Sequence, residues 1–344
     1  MAIIYGTDDA EVLRGSSIGD VIRAGGGADV VYGDTGSDLL FGGADSDEVT
    51  GNDGNDLIYG DNGGNRDGLS DGDDFMWGGA GNDTMFGQGG NDYIDGGLNN
   101  NVMYGGGGDD VIVALGGNDS ADGGDGNDCI DVGNGTNSAK GGNGNDKINA
   151  GNGADTISGG AGNDIVLGQA GNDTVNGDAG NDALDGGDGN DKVNGGDGDD
   201  VVIGGAGDDT LSGGAGADQF VVRQYETPSV DTITDWDGGD RIILCGEGKF
   251  KYWVSEITLV DANPSDFDYN VDDVAIVLSN SSVIYVLNAA ADFVLGDSGA
   301  GTDKLINDNP DDFGRALPND PLCNPTCEVP PVTCPTYEEP IWTF

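Results

Sequence analysis

Aspartate recurs at a fixed interval along most of this chain. From Gly6 to Val221 the sequence reads as 24 consecutive nine-residue units without insertion or deletion, and the sixth place is Asp in 20 of them. These are Asp20, Asp29, Asp38, Asp47, Asp56, Asp74, Asp83, Asp92, Asp110, Asp119, Asp128, Asp146, Asp155, Asp164, Asp173, Asp182, Asp191, Asp200, Asp209 and Asp218; Glu11, Asn65, Asn101 and Asn137 fill the other four. The surrounding glycines bring backbone carbonyls close, and the sequence contains no His. Such a donor set is oxygen only. It suits a hard divalent cation, and Ca2+ accepts irregular stacked loops more readily than Mg2+. The lack of His excludes H-E-x-x-H zinc sites, Ser-His-Asp triads and imidazole acid-base steps. No carboxylate pair stands out among 64 acidic residues, so a glycosidase is not indicated either. The expectation is a protein that is not an enzyme.

The units themselves must position these carboxylates. Typical ones are Gly159-Gly160-Ala161-Gly162-Asn163-Asp164-Ile165-Val166-Leu167 and Gly204-Gly205-Ala206-Gly207-Asp208-Asp209-Thr210-Leu211-Ser212. Glycines at the first, second and fourth places allow backbone angles closed to other residues. The last three residues alternate outward, inward, outward as a short strand. Their inward eighth place is apolar in 23 units, and only Asp67 breaks it. Two units then form one flattened coil, and coils stacked as parallel sheets give an all-β parallel β-roll, a solenoid of about 12 coils. One buried side chain per nine ordered residues is a thin core, so metal binding must add to it. Composition agrees: 344 residues include 68 Gly, and 64 Asp and Glu face 12 Lys and Arg for a net charge of −52. Without cations such a chain repels itself and stays expanded. That charge also excludes unaided nucleic-acid binding.

The unit Gly-Gly-x-Gly-x-Asp-x-apolar-x resembles the RTX, or haemolysin-type, calcium-binding nonapeptide, over 216 of 344 residues. The resemblance implies Ca2+ between the loops of successive coils, held by sixth-place Asp and loop carbonyls, and folding that waits for extracellular calcium. The run from Ala217-Asp218-Gln219-Phe220 through Asp231-Thr232-Ile233-Thr234-Asp235-Trp236 to Asp240-Arg241-Ile242 resembles the segment closing the roll in serralysin-type proteases and other type I secreted proteins. In those proteases the catalytic domain precedes the repeats. None precedes them here and no zinc-binding His is present, so protease activity is not expected.

Strict alternation of units sorts the sixth places onto two edges. One edge is expected to carry Asp20, Asp38, Asp56, Asp74, Asp92, Asp110, Asp128, Asp146, Asp164, Asp182, Asp200 and Asp218 without a break. The other then carries Glu11, Asp29, Asp47, Asn65, Asp83, Asn101, Asp119, Asn137, Asp155, Asp173, Asp191 and Asp209, with every substitution on it. Eleven gaps on the first edge and the four doubly Asp gaps on the second give about 15 strong calcium sites, with a ceiling of about 22. Fifteen divalent ions reduce the charge of −52 to about −22, and 22 reduce it to about −8.

Seventh and ninth places face outward and report on partners. On one sheet alternation predicts Val21/Arg23, Leu39/Phe41, Leu57/Tyr59, Phe75/Trp77, Tyr93/Asp95 and Val111/Val113, an apolar stripe of the kind that marks a contact surface. Leu39, Phe41, Leu57, Tyr59, Phe75, Trp77 and Tyr93 are its candidate interface residues. Either a C-terminal segment folds back over them, or they serve protein association as a homo-oligomer or surface layer. The open first coil, Ile3-Ile4-Tyr5, offers a second route to extension. The opposite sheet is mainly polar, as in Thr156/Ser158 and Thr174/Asn176.

After Val221 the glycine repeat stops. Alternating stretches at 231–236, 241–244, 274–278 and 283–287 read as strands of a capping domain, which divides the chain into a roll at 1–221, a β cap at 222–308 and a Pro- and Cys-rich tail at 309–344. Cys323 and Cys327 are spaced to pair locally if oxidised, leaving Cys334 for Cys129, Cys245 or a partner molecule; the alternative is that they are unpaired thiols on a flexible end. Asp266-Phe267-Asp268-Tyr269-Asn270 begins like an EF-hand loop, but Val271 and Val277 occupy its Gly and Glu places, which rejects it. Met1 to Tyr5 has no export-signal pattern, and no segment approaches the roughly 20 apolar residues of a membrane span. Pro340-Ile341-Trp342-Thr343-Phe344 would suit the uncleaved C-terminal secretion signal of this family. The resulting expectation is a secreted, calcium-dependent structural protein of a cell-surface layer, filament or matrix. The alternatives are a carbohydrate-binding module, which resembles the repeat modules of alginate epimerases, and an adhesion or ice-binding module.

Overall fold

The computed structural model describes residues 1–61, 72–223, 229–236 and 239–245, together with short strands further along the chain. Among the described residues there is no helix. The chain forms two compact units, one containing Met1–Gly133 and the other beginning at Asn134. Each is a parallel solenoid with two facing sheets, as the period of two predicts for three-residue strands whose middle side chain is apolar.

In the first unit one sheet runs Ile3–Tyr5, Val21–Gly26, Leu39–Ala44, Leu57–Asp61, Thr84–Gly89, Val102–Gly107, Ser120–Asp125. The other runs Val12–Arg14, Val30–Thr35, Glu48–Asp53, Phe75–Ala80, Tyr93–Asp95, Val111–Val113, Cys129–Asp131. Between them lie the eighth-place side chains Ile22, Val31, Leu40, Val49, Ile58, Met76, Met85, Ile94, Met103 and Ile112, all fully buried. In the second unit Ser138–Asn143, Thr156–Ala161, Thr174–Ala179, Lys192–Asp197, Thr210–Ala215 and Val230–Ile233 face Lys147–Asn149, Ile165–Leu167, Ala183–Asp188, Val201–Ala206, Gln219–Arg223 and Arg241–Cys245. Val230–Ile233 pairs in parallel with Val283–Val286, which continues antiparallel through Asp273–Leu278 to Val254–Val260. Sheet pairing therefore extends into the stretch expected to cap the roll.

Successive coils are 18 residues apart, as in Leu39 on Val21 and Thr174 on Thr156. One step differs. Phe75 pairs with Glu48 and Thr84 with Leu57, a spacing of 27 residues, nine more than a regular step. The step spans residues 62–71, which lie outside the described residues. Their unit alone combines Asn65 at the sixth place with Asp67 at the eighth. An Asp at the eighth place of a regular coil would put a carboxylate in the apolar interior, which is costly without a partner.

This step corrects the expected sorting. Every unit after it lies on the opposite sheet from the one that uninterrupted alternation assigns. Leu39, Phe41, Leu57 and Tyr59 stay together on the first sheet, whereas Phe75, Trp77 and Tyr93 lie on the other, so the seven do not form one stripe. Phe86 and Tyr104 take the places of Trp77 and Asp95. The result is a column of rings, Phe41, Tyr59, Phe86 and Tyr104, with centroids 4.9, 5.0 and 4.8 Å apart and interplanar angles of 5°, 9° and 5°. Arg23 closes it, its guanidinium 3.8 Å from the Phe41 centroid in a cation–π contact. The segment expected to fold back over the stripe lies outside the described residues. Outward-facing Leu167, Val201 and Ile203 of the second unit are nonetheless buried.

Candidate metal centre

Each sixth-place carboxylate is fixed by its backbone. In a regular coil the N–H of one Asp donates to Oδ1 of the Asp one coil further on, as from Asp164 to Asp182 and from Asp182 to Asp200, both at 2.8 Å. The residue after the Asp returns the link, Ala183 N–H donating to Asp164 O at 2.9 Å. These bonds occupy Oδ1 and leave Oδ2 directed into the loop. Oδ2 of Asp29, Asp38, Asp47, Asp56, Asp74, Asp83, Asp110, Asp155, Asp164, Asp173, Asp182, Asp191, Asp200 and Asp209 is buried without a hydrogen-bond partner. None of these residues is more than 3% exposed. Unpartnered buried charge on this scale does not persist without a counter-charge.

The first-place glycines show what surrounds Oδ2. A Cβ built on Gly33 would lie 2.6 Å from Asp38 Oδ2 and 2.7 Å from the Gly51 carbonyl oxygen of the next coil. One built on Gly78 would lie 2.6 Å from Asp83 Oδ2 and 2.7 Å from Gly96 O. A carboxylate oxygen and a carbonyl oxygen thus converge beside a bare α-carbon, coil after coil. Among the described residues no three acidic, Cys or His side chains gather as a metal cluster. A cation here would draw on backbone carbonyls as well as carboxylates, which Ca2+ does readily. The donors present fit that ion.

Electrostatics point the same way. Burial raises the carboxyl of Asp74 from the ordinary 3.8 to about 9, only partly offset by the N–H of Asp47, while the charges of Asp92, Asp47 and Asp61 add to the rise. Burial likewise raises Asp110 to about 8, and Asp47, Asp56, Asp164 and Asp209 to about 7. Asp20 is the exception: hydrogen bonds from the Ala2 N–H and from Ser16 hold it below the ordinary value.

All 20 expected aspartates lie on the ladders, but the two rows differ from those that alternation predicts. One row of the first unit is Glu11, Asp29, Asp47, Asp74, Asp92, Asp110, Asp128, where the expected row passes from Asp56 to Asp74. The other is Asp20, Asp38, Asp56, Asp83, Asn101, Asp119. The substitutions therefore divide between the rows, Glu11 falling on the first. In the second unit the rows are Asp146, Asp164, Asp182, Asp200, Asp218, Asp240 and Asn137, Asp155, Asp173, Asp191, Asp209, Asp231.

Two features escape the repeat pattern. Asp231 and Asp240 continue the rows without glycine-rich units around them, the clue being Asp231-Thr232-Ile233 and Asp240-Arg241-Ile242, which keep the sixth-to-eighth order. Fifth-place side chains form a second tie running the other way. Asn163 N–H donates to Asn145 Oδ1 at 2.7 Å, and Asn181 N–H to Asn163 Oδ1 at 2.8 Å. The frequency of Asn and Asp at that place was the available signal. Cys129, on an outward strand position, is disulfide-bonded; the side chains of the other four cysteines lie outside the described residues.

Comparison with known proteins follows the same boundaries. The family described as RTX calcium-binding nonapeptide repeat (4 copies) matches residues 5–40, 32–66, 70–103, 104–139, 131–166, 140–175, 159–193, 167–202 and 185–220. The break between 66 and 70 falls within the 27-residue step. No curated protein matches the chain. Among solved structures, a hyperactive, Ca2+-dependent, β-helical antifreeze protein from an Antarctic bacterium is 20% identical, with a TM-score of 0.36, over 70% of this chain and 86% of its own. The AlgE6R3 subunit of the Azotobacter vinelandii mannuronan C5-epimerase is 21% identical, with a TM-score of 0.25, over 50% and 93%. The extracellular lipase LipA of Serratia marcescens is 14% identical, with a TM-score of 0.26, over 79% and 39%.

Proposed function

Because the chain belongs to the RTX calcium-binding nonapeptide repeat family, we propose that its two Asp rows hold Ca2+ between successive coils and that the ions complete the fold. It is a calcium-binding β-roll repeat protein. The observation that carries the ladder reading is the row of buried, unpartnered Oδ2 atoms in register. Within the first unit, five gaps of one row and three of the other have Asp on both sides; within the second, five and four do. About 17 strong sites are therefore expected within the two units, counting the gaps that Asp231 and Asp240 add. Equilibrium dialysis with atomic emission should find about that many ions per chain in millimolar calcium. Fewer than about ten would refute the assignment of a doubly Asp gap as a site.

RTX repeat proteins are generally secreted, and no described helix is long and apolar enough to cross a membrane. The reading is a non-catalytic extracellular protein that folds on meeting calcium and contributes to a surface layer, filament or matrix. Its contact face would be the outer side of the first sheet, where Leu39 and Leu57 flank the ring column. Those rings stack on one another, so their faces are not open to a sugar. That arrangement favours protein association over carbohydrate capture. Replacing Phe41, Tyr59 and Phe86 together by Ser should dissolve the assembly in sedimentation while leaving calcium stoichiometry unchanged. Unaltered sedimentation would remove the column as the interface.

A further inference from the structure

The ring column of the first unit is bounded by opposite charges. Parallel pairing sets the ninth-place residues of the first sheet in register as Arg23, Phe41, Tyr59, Phe86, Tyr104 and Asp122. This order is complementary to its own reverse. A reversed copy puts Arg23 against Asp122, Phe41 against Tyr104 and Tyr59 against Phe86. Interplanar angles of 5°, 9° and 5° keep the column straight over four coils, so two columns can run side by side along their length. Phe41, Tyr59 and Phe86 are half-buried, Tyr104 is 39% exposed and Arg23 is exposed. The stacking of Arg23 on Phe41 uses the face of the guanidinium and leaves its edge N–H groups for a carboxylate.

We propose that this face binds a second copy of the chain, in a two-fold dimer whose axis lies along the strands between the levels of Tyr59 and Phe86. The inference rests on the contact-face reading above and names its partner. Rotation about that axis keeps ninth places against ninth places and reverses the order of coils, so that one patch complements itself. Arg23 then meets Asp122 of the second copy at both ends of the contact. Ring length matters as well as charge. Tyr is longer than Phe by one hydroxyl, and the reversed order sets a Phe opposite every Tyr. The Tyr59 hydroxyls of the two copies come onto adjacent levels, about 4.8 Å apart along the sheet, where they bond directly or through one water. At the seventh places Leu39 lies against Val102 and Leu57 against Thr84 of the second copy, which adds apolar contact beside the rings. A two-fold axis along the roll would instead set ninth places against seventh places and leave Arg23 facing Val21 rather than a carboxylate.

The test is sedimentation equilibrium of the full chain in millimolar calcium and about 0.15 M salt, which screens the net charge of the two copies beyond about 8 Å. The wild type should dimerise. Arg23→Asp and Asp122→Arg should each dimerise about tenfold more weakly, since each sets two like-charge pairs in place of two ion pairs. Mixed one to one, the two variants should pair as well as the wild type, because each end of the mixed dimer then holds one Asp and one Arg. The chain carrying both changes should regain the dimer for the same reason. Circular dichroism in excess calcium confirms that each variant is folded. Single variants that associate like the wild type, or a mixture that does not recover, overturn the antiparallel dimer, as does a wild type that stays monomeric up to about 1 mM chain. If replacing the rings by Ser still disperses the assembly, the column remains an interface for another partner. If replacing the rings changes nothing, the contact-face reading falls and this dimer falls with it.

Discussion

Stripped of calcium at pH 8, the chain loses its β-sheet spectrum and expands roughly threefold in radius; acidified without calcium, it becomes compact again. Both halves follow from the same carboxylates. Burial raises Asp47, Asp56, Asp164 and Asp209 to about 7, Asp110 to about 8 and Asp74 to about 9, while in the unfolded chain they return to the ordinary value of 3.8. A folded-state pKa above the unfolded one means that the fold takes up protons. Its contribution is complete below about pH 4 and disappears as pH rises through about 7 to 9. At neutral pH the metal-free roll must therefore keep buried charges without partners, and Ca2+ supplies the charge that protons supply in acid. Circular dichroism and dynamic light scattering across pH 4 to 9, with chelator and with millimolar calcium, should give opposite trends. Metal-free protein that keeps its spectrum and size at pH 8 would contradict the account.

The second large effect separates two adjacent glycines. Gly108 has φ +127°, and a Cβ on it would be driven into the carbonyl oxygen of Gly90 in the coil before. Its own N–H donates to Asp125 O in the coil after, at 2.7 Å. Gly108→Ala must therefore strain the backbone and push neighbouring coils away from each other, and we expect a loss of about 4 kcal/mol or more in denaturant unfolding with calcium present. Gly107, one residue earlier, would place a Cβ no nearer than 3.9 Å to the Gln88 carbonyl oxygen. Gly107→Ala should fall within about 0.5 kcal/mol of wild type. Equal effects of the two would show that coil spacing is not set by the fourth-place glycine.

Much of this was legible in the residues because the nonapeptide is a local code. An apolar eighth place and a sixth-place Asp specify a buried side chain and a loop carboxylate wherever they occur, so Ile22, Met103 and Val202 are in the core and Asp38, Asp110 and Asp200 are on the rows as expected. Which row and which sheet is not local. It depends on how many units separate paired strands before a given residue, and one 27-residue step changes the answer for all that follow. Asn65 and Asp67 together marked that unit, yet each alone is a tolerable exception, as Asn101 and Asn137 are. Asp231 and Asp240 lacked the glycines by which their units would be counted.

The 27-residue spacing between Glu48 and Phe75 also bears on how such chains diversify. In a polymer of near-identical modules, unwinding one acts as a transposition: it exchanges left and right for every module downstream while changing none of their sequences. Gain or loss of a single module within a continuous spiral would redecorate both flanks at once, whereas gain or loss of a pair would leave the display intact. The flank on which Phe86 and Tyr104 come to lie over Phe41 and Tyr59 is thus a matter of counting, open to revision by one duplication and to restoration by the next.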